Sequence, residues 1–334
     1  MNMKKWIALL LCCLLPFQAL ALEISEDEFY EWYDEMAYLV DEIGNRWIEL
    51  PGSQQACDYL RAEFEVNGFS TEDGTLIELP SYVPELDLTC TNLIAIKPAV
   101  NPDAPIITVC AHYDSQSSGA RDNASGLAAM MFIMRKMAAL PAFENTELRF
   151  VAFTAEEYFC TARNEPHIGS LDYCASLTEE EKDRCIAAFN IDILVVDIWE
   201  DLAFSMDTVG MRTANGYVTA TEEAPAYNRP ALAMLQAMEE VGAYPEEDRD
   251  WYWCGPRHLG MSDHESFHFI SVDSVNVCFR GPDELGGNWP EFMHTPSDVM
   301  GDFDLQRSWD ALASVYTAVD GLARDHSYGD AMMP

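Results

Sequence analysis

Pro105-Ile-Ile-Thr-Val-Cys-Ala-His-Tyr-Asp-Ser-Gln-Ser-Ser-Gly-Ala-Arg-Asp-Asn-Ala-Ser-Gly126 reads as a strand, a polar turn and the start of a helix. The apolar run through Ala111 delivers His112, and Asp114 follows two residues later. A Gly/Ser-rich turn then presents Asp122, and an apolar helix begins near Ser125. One imidazole and two carboxylates thus sit on a loop at the carboxyl end of a strand, where open α/β sheets place their chemistry.

Working outward, strand and helix patterns alternate. Ser25-Glu-Asp-Glu28 is a capping box opening a helix with Phe29, Trp32, Met36, Leu39 and Ile43 on one face, ending near Gly44. Gly52-Ser53 starts a second helix, closed by Gly68. A strand and connection are expected over 75–86, and strands over 91–97, 106–111, 147–154 and 274–279. The run 188–196 is rich in β-formers. Helices are expected over 126–140, 169–174, 178–185, 229–242, 262–270 and 303–324, with loops at 158–167 and 251–260. No repeat, low-complexity tract or linker is visible. The pattern predicts a single α/β domain, with a central, mostly parallel, mixed β-sheet flanked by helices.

The chain has 334 residues. Residues 1–21 read as an export signal: Lys4 and Lys5, an apolar core from Ile7 to Leu15, and the small-x-small site Ala19-Leu-Ala21. The apolar run is too short to span a bilayer. An exported protein, periplasmic or secreted, is therefore expected, with a mature domain over 22–334. Eight of the ten cysteines follow the signal, and an even number in an exported chain permits disulfides. One pair among Cys160, Cys174 and Cys185, Cys57 with Cys90, and Cys254 with Cys278 are the pairings considered. The net charge of −38 excludes nucleic acid and anionic membrane as partners, since both require clustered Lys and Arg.

The chemistry-bearing residues follow in order. After His112, Asp114 and Asp122 come Glu156-Glu157 at a strand end, Asp192 in Phe189-Asn-Ile-Asp192, and His294 in Phe292-Met-His-Thr-Pro-Ser-Asp298. Imidazoles and carboxylates gathered at strand ends suit zinc. A lone Glu-Glu pair reads as a solvated face; here it ends an apolar strand inside an ordered set. Asp197 is a rival to Asp192. His167, His258, His268 and His326 have no motif and read as surface residues.

These residues resemble the M28 family of zinc aminopeptidases, in the form of an exported bacterial member. The matching segments are His112-Tyr-Asp114-Ser, Gly119-Ala-x-Asp122-Asn-Ala-Ser-Gly126, Ala155-Glu156-Glu157, Asn190-Ile-Asp192, Ser262-Asp-His264 and His294-Thr-x-x-Asp298. The resemblance implies the phosphorylase/hydrolase-like fold of zinc-dependent exopeptidases and two zinc ions. It makes Asp122 the bridge, His112 and Asp192 the ligands of one metal, and Glu157 and His294 those of the other. Glu156 becomes the general base, and Asp114 accepts a hydrogen bond from His112. His264 supports the site without binding metal. The Asp122–Asn123 bond is implied to be cis, and Tyr252 is a possible oxyanion stabiliser.

The implied activity is removal of N-terminal amino acids from peptides with a free N-terminus, by a monomer. Glutaminyl cyclase, a single-zinc acyl-transfer enzyme of the same fold, is the alternative, and a non-catalytic peptide-binding homologue is a third reading. The family pattern is broken between Glu157 and Gly169-Ser170, where an extra loop with Cys160, Arg163 and His167 is expected to overhang the cleft.

Overall fold

The computed structural model describes residues 24–200, 202–221, 226–242, 253–258, 261–281 and 289–333. The expected signal at 1–21, Trp251, Tyr252 and Gly286-Gly287 lie outside the described residues, as do the side chains of Cys254 and His258.

The N-terminal third is two helices and an antiparallel ribbon. Helix α1 (Glu26–Ala37) begins at the capping box: the Ser25 hydroxyl accepts from Glu28 N, and Glu28 accepts from Ser25 N. It runs into a wider turn (Tyr38–Ile43) that Gly44 ends at φ 76°. Helix α2 (Pro51–Val66) follows, then strands β1 (Leu76–Val83) and β2 (Leu88–Lys97). Pro80 lies in β1, which is at the edge of the sheet, where its missing N–H is tolerated.

Strand β3 (Ile106–His112) leads through the polar loop to α3 (Gly126–Ala138) and β4 (Glu147–Phe153). Helices α4 (Ile168–Ser176) and α5 (Glu179–Arg184) precede β5 (Cys185–Ile191). The chain continues through β6 (Ala203–Thr208), β7 (Gly210–Thr213), β8 (Gly216–Thr219) and α6 (Arg229–Val241). It ends with β9 (Trp253–His258), α7 (His264–Phe269), β10 (Ser274–Arg280) and α8 (Leu305–Arg324).

Eight strands form one sheet in the order β1-β2-β4-β3-β5-β10-β6-β9. The centre, β4-β3-β5-β10, is parallel; β2 joins β4 and β6 joins β10 antiparallel. The sheet is buried on both faces, and alternation along β3 shows why. Ile107, Val109 and Ala111 enter the main core, while Ile106 and Cys110 enter a second core on the opposite face. The chain leaves β3 for β4 on one side and crosses to β5 on the other. This reversal opens a crevice at the carboxyl ends of β3, β4 and β5.

Three expectations are corrected. Residues 253–258 are not loop but strand β9, paired parallel with β6; backbone pairing at the sheet edge overrides the turn-rich composition. The β-rich run over 188–196 ends as a strand at Ile191, because Ile193 takes a positive φ of 68°. The cysteine pairings do not form: Cys57, Cys90, Cys110, Cys160, Cys174, Cys185 and Cys278 are all free and buried. Cys110, Cys174 and Cys185 pack in the second core, as small apolar side chains do. One strand pair escaped the sequence reading, although its turn, Thr213-Ala-Asn-Gly216, carries a hairpin signal: β7 and β8 pair antiparallel around it.

Candidate active site

Five features hold the loop after β3. Buried Arg46 donates from its guanidinium to the carbonyls of Tyr113 (2.8 Å), Ser118 (2.6 Å) and Gly119 (3.1 Å). Gly119 sits at φ 59°, and a Cβ there would meet Asp122 O at 2.3 Å, so only glycine fits. The Asp122–Asn123 peptide is cis, as the resemblance implies. Asn123 then ties the loop to β5: it donates to Ile191 O (2.8 Å) and accepts from Ile193 N (3.2 Å). Gly126 allows α3 to approach β5, since a Cβ would lie 2.2 Å from Ile191 O.

The result places Asp122 between two groups of side chains. Its Oδ1 lies 3.2 Å from His112 Nε2, and its Oδ2 lies 2.8 Å from His294 Nε2. On the first side, His112 Nε2 is 3.5 Å from Asp192 Oδ1. On the second, His294 Nε2 is 3.1 Å from Glu157 Oε2. The ligand atoms of His112, Glu156 and Asp192 lie within 4.8 Å of one another, and so do those of Asp122, Glu157 and His294. His112 Nε2, Glu157 Oε1 and Asp192 Oδ1 are buried without a hydrogen-bond partner. Buried acceptors left unpaired within each group fit a cation, and a nitrogen/carboxylate set fits zinc.

The electrostatics agree. Burial pushes Glu157 up to about 8, and the charge of Asp122 adds to this. Burial, then Asp122, also raises Asp192. Burial acts the same way on Asp122, but the adjacent imidazoles of His112 and His294 outweigh it and hold that carboxyl below its ordinary range. His294 is driven up to about 10 by its bonds to Asp122 and Glu157.

The second layer differs from the expectation in one respect. Asp114 does not accept from His112 through its carboxylate, which is 3.8 Å from Nδ1. Its backbone carbonyl takes that contact at 3.1 Å. The carboxylate instead accepts from Glu156 N and Glu157 N, each at 3.1 Å. The chain turns after β4, with Ala155 at φ 54°, and this bend points both N–H groups at Asp114. Asp263 takes the N-cap position of α7, which leaves the Ser262 side chain to the site. The Ser262 hydroxyl donates to Asp192 Oδ2 (2.8 Å) and accepts from Asn190 (2.8 Å).

Asp197, the rival ligand, pairs with buried Arg121. Arg121 also binds Asp298 Oδ1 at 3.0 Å and lies over the rings of Phe292 and Phe303. Asp298 in turn accepts from Arg121 N and Asp122 N. This cluster fastens the segment bearing His294 to the segment bearing Asp122. His264 is buried beside the site, and its carbonyl accepts from Ser274.

His167, expected at the surface, is buried, and its Nδ1 is 3.0 Å from Glu156 Oε1. No motif marks it; its place in a loop absent from the family pattern was the one available signal. His326 is half-buried against Thr146. The cleft over the cluster has a volume of about 230 Å³, and Phe159, Ile193, Met261, Trp289 and Met293 form its apolar wall. Phe159, Pro166 and His167 come from the extra loop, which therefore does border the cleft.

With this geometry in view, residues 92–319 match Peptidase family M28, and the chain belongs to that family. Aminopeptidase YwaD of Bacillus subtilis (strain 168) is 30% identical over 240 residues, 69% of this chain and 45% of that protein. The chain thus spans about half the length of that curated relative. A solved zinc aminopeptidase from Bacillus subtilis superposes with a TM-score of 0.56 at 29% identity, over 70% of this chain and 50% of the other. Tannerella forsythia glutaminyl cyclase superposes at 0.64 with 16% identity, over 89% and 98% of the two chains; that likeness is one of fold alone.

Proposed function

We propose that this chain is a zinc-dependent aminopeptidase that hydrolyses the N-terminal amino acid from peptides. The observation that carries the reading is Asp122, whose two oxygens face two separate ligand groups at 3.2 and 2.8 Å. His112 and Asp192 would hold one zinc ion, Glu157 and His294 the other, and Asp122 would bridge them. Zinc bound there would polarise the scissile carbonyl and make a water acidic enough to attack near neutral pH.

The side chains supply the rest. The apolar wall of the cleft receives the first side chain of the peptide, and the surplus of carboxylates favours its free α-ammonium group. Glu156 accepts a proton from the attacking water as the C–O bond forms. It returns that proton to the amide nitrogen as the C–N bond breaks. Asp114 fixes the backbone of Glu156 and Glu157 together, so base and ligand keep a constant relation.

Two ligand groups favour this reading over a cyclase, which works with one zinc. Purified protein tested on a panel of aminoacyl chromogenic substrates, with chelation and zinc add-back, should show chelator-sensitive release from at least one member and about two zinc ions per chain. Zinc near one per chain, with cyclisation of N-terminal Gln peptides, would reverse the assignment. Glu156→Gln should keep bound zinc and lose roughly 10²–10⁴ in kcat; near-full activity would remove Glu156 as the base. Export is part of the proposal and rests on the pattern of residues 1–21. The mass of the mature protein tests it, with cleavage expected after Ala21.

A further inference from the structure

The two neighbouring glutamates have different tasks, yet nothing in their sequence separates them. Their backbone N–H groups are held by the same Asp114 carboxylate. Glu157 lies beside His294 and Asp122. Glu156 is also within ligand reach, since its carboxylate shares a 4.8 Å cluster with His112 and Asp192. A carboxylate in that position has two destinations: the metal, or the open cleft. A glutamate taken into the metal's coordination sphere has its lone pairs engaged and is a poor proton acceptor.

One further neighbour is His167. His167 Nδ1 is 3.0 Å from Glu156 Oε1, at ion-pair distance though without hydrogen-bond geometry. At the other end of the ring, Nε2 faces Glu265 Oε2 at 4.0 Å, beyond hydrogen-bond distance. The backbone is fixed: the His167 carbonyl accepts from Ser170 Oγ and Leu171 N, both at 3.1 Å. His167 holds a positive φ of 51°, a conformation that non-glycine residues adopt when their surroundings impose it. The residue is buried and is delivered by the loop that departs from the family pattern.

We propose that His167 is a positioning residue that holds the Glu156 carboxylate in the cleft as the base and keeps it from joining His112 and Asp192 as a metal ligand. This rests on the reading of Glu156 as the base.

Two substitutions test it. His167→Gly removes the ring and suits the left-handed backbone, so the protein is expected to fold. His167→Asn keeps an N–H donor close to the position of Nδ1 and tolerates the same φ. The Gly variant should lose roughly 10–100-fold in kcat with KM within about threefold. The Asn variant, or added imidazole with the Gly variant, should recover most of that loss. With cobalt in place of zinc, the visible spectrum of the Gly variant should change as a further carboxylate enters the coordination sphere, and that of the Asn variant should match the parent. In a Glu156→Gln background, His167→Gly should cost nothing further.

Equal losses in the Gly and Asn variants, an unchanged cobalt spectrum in the Gly variant, or additive losses with Glu156→Gln would overturn the proposal. Full activity of Glu156→Gln alone would instead strike the base assignment, which separates the two failures.

Discussion

Asp114 shows how much a single residue does that its motif does not reveal. The motif places it two residues after His112, which suggests that the carboxylate orients the imidazole. The backbone carbonyl does so, and the carboxylate is left to bind two consecutive N–H groups. Burial raises this carboxyl to about 6, even though His112 and those N–H groups act to lower it. Asp114→Asn keeps the volume but presents an amide NH₂ to one of two buried donors. The expected outcome is a loss of roughly 10–100-fold in zinc affinity or activity, with about 1–3 kcal/mol of stability lost as well. Zinc titration and denaturant unfolding of the variant measure the two separately, and an unchanged zinc affinity would show that the Asp114 carboxylate contributes nothing to the site.

At the scale of elements, α1 supports the site from a distance. Trp32 on its buried face donates to Ser125 O (3.2 Å), at the start of α3. The helix is held at its own start by Glu28, which closes the capping box and pairs with Lys136 of α3. The Lys136 bond, then that from Ser25 N, holds the Glu28 carboxyl below its ordinary value of 4.5. A depressed folded value means stability that is present above the unfolded value and lost as pH falls through the folded one. Glu28→Ala should therefore cost about 1 kcal/mol at pH 7, and the gap from the parent should narrow below about pH 4. Thermal unfolding of both proteins across that range checks the slope; a constant difference would mean that charge plays no part.

The molecule as a whole carries a net charge of −38. Part of the negative charge is gathered in the cleft, where bound zinc would offset it, and the rest lies on the surface and repels itself. Raising salt from about 0.01 to 1 M shortens the screening length from about 30 to 3 Å. The zinc-saturated protein should accordingly gain thermal stability over that range. A flat or falling midpoint would show that surface repulsion is not a significant cost. Removing zinc acts separately, since a ligand bound at about 1,000 times its Kd stabilises by about 4 kcal/mol.

Most of the central layout was legible from residue order alone. The alternation of strands and helices from Ile106 to Arg280, the capping box at Ser25 and the six motifs depend on local periodicity and on spacing within a few residues. The sequence by itself determined that His112 and a set of carboxylates fall at or just after strand ends, that His294 follows in a later loop, and that Gly119 and Gly126 flank Asp122. Only the tertiary structure decided which of them meet. Arg121 joins Asp197 and Asp298 across more than seventy residues on one side and more than a hundred on the other. Arg46 reaches back to the Tyr113–Gly119 turn. Neither partnership leaves a periodic trace, because side-chain contacts between distant segments have no fixed spacing. The same reason hid His167: an imidazole with no motif reads as surface until the fold brings Glu156 to it. The buried thiols make the matching point, since their number permitted disulfides while their packing in the core left the seven described ones unpaired.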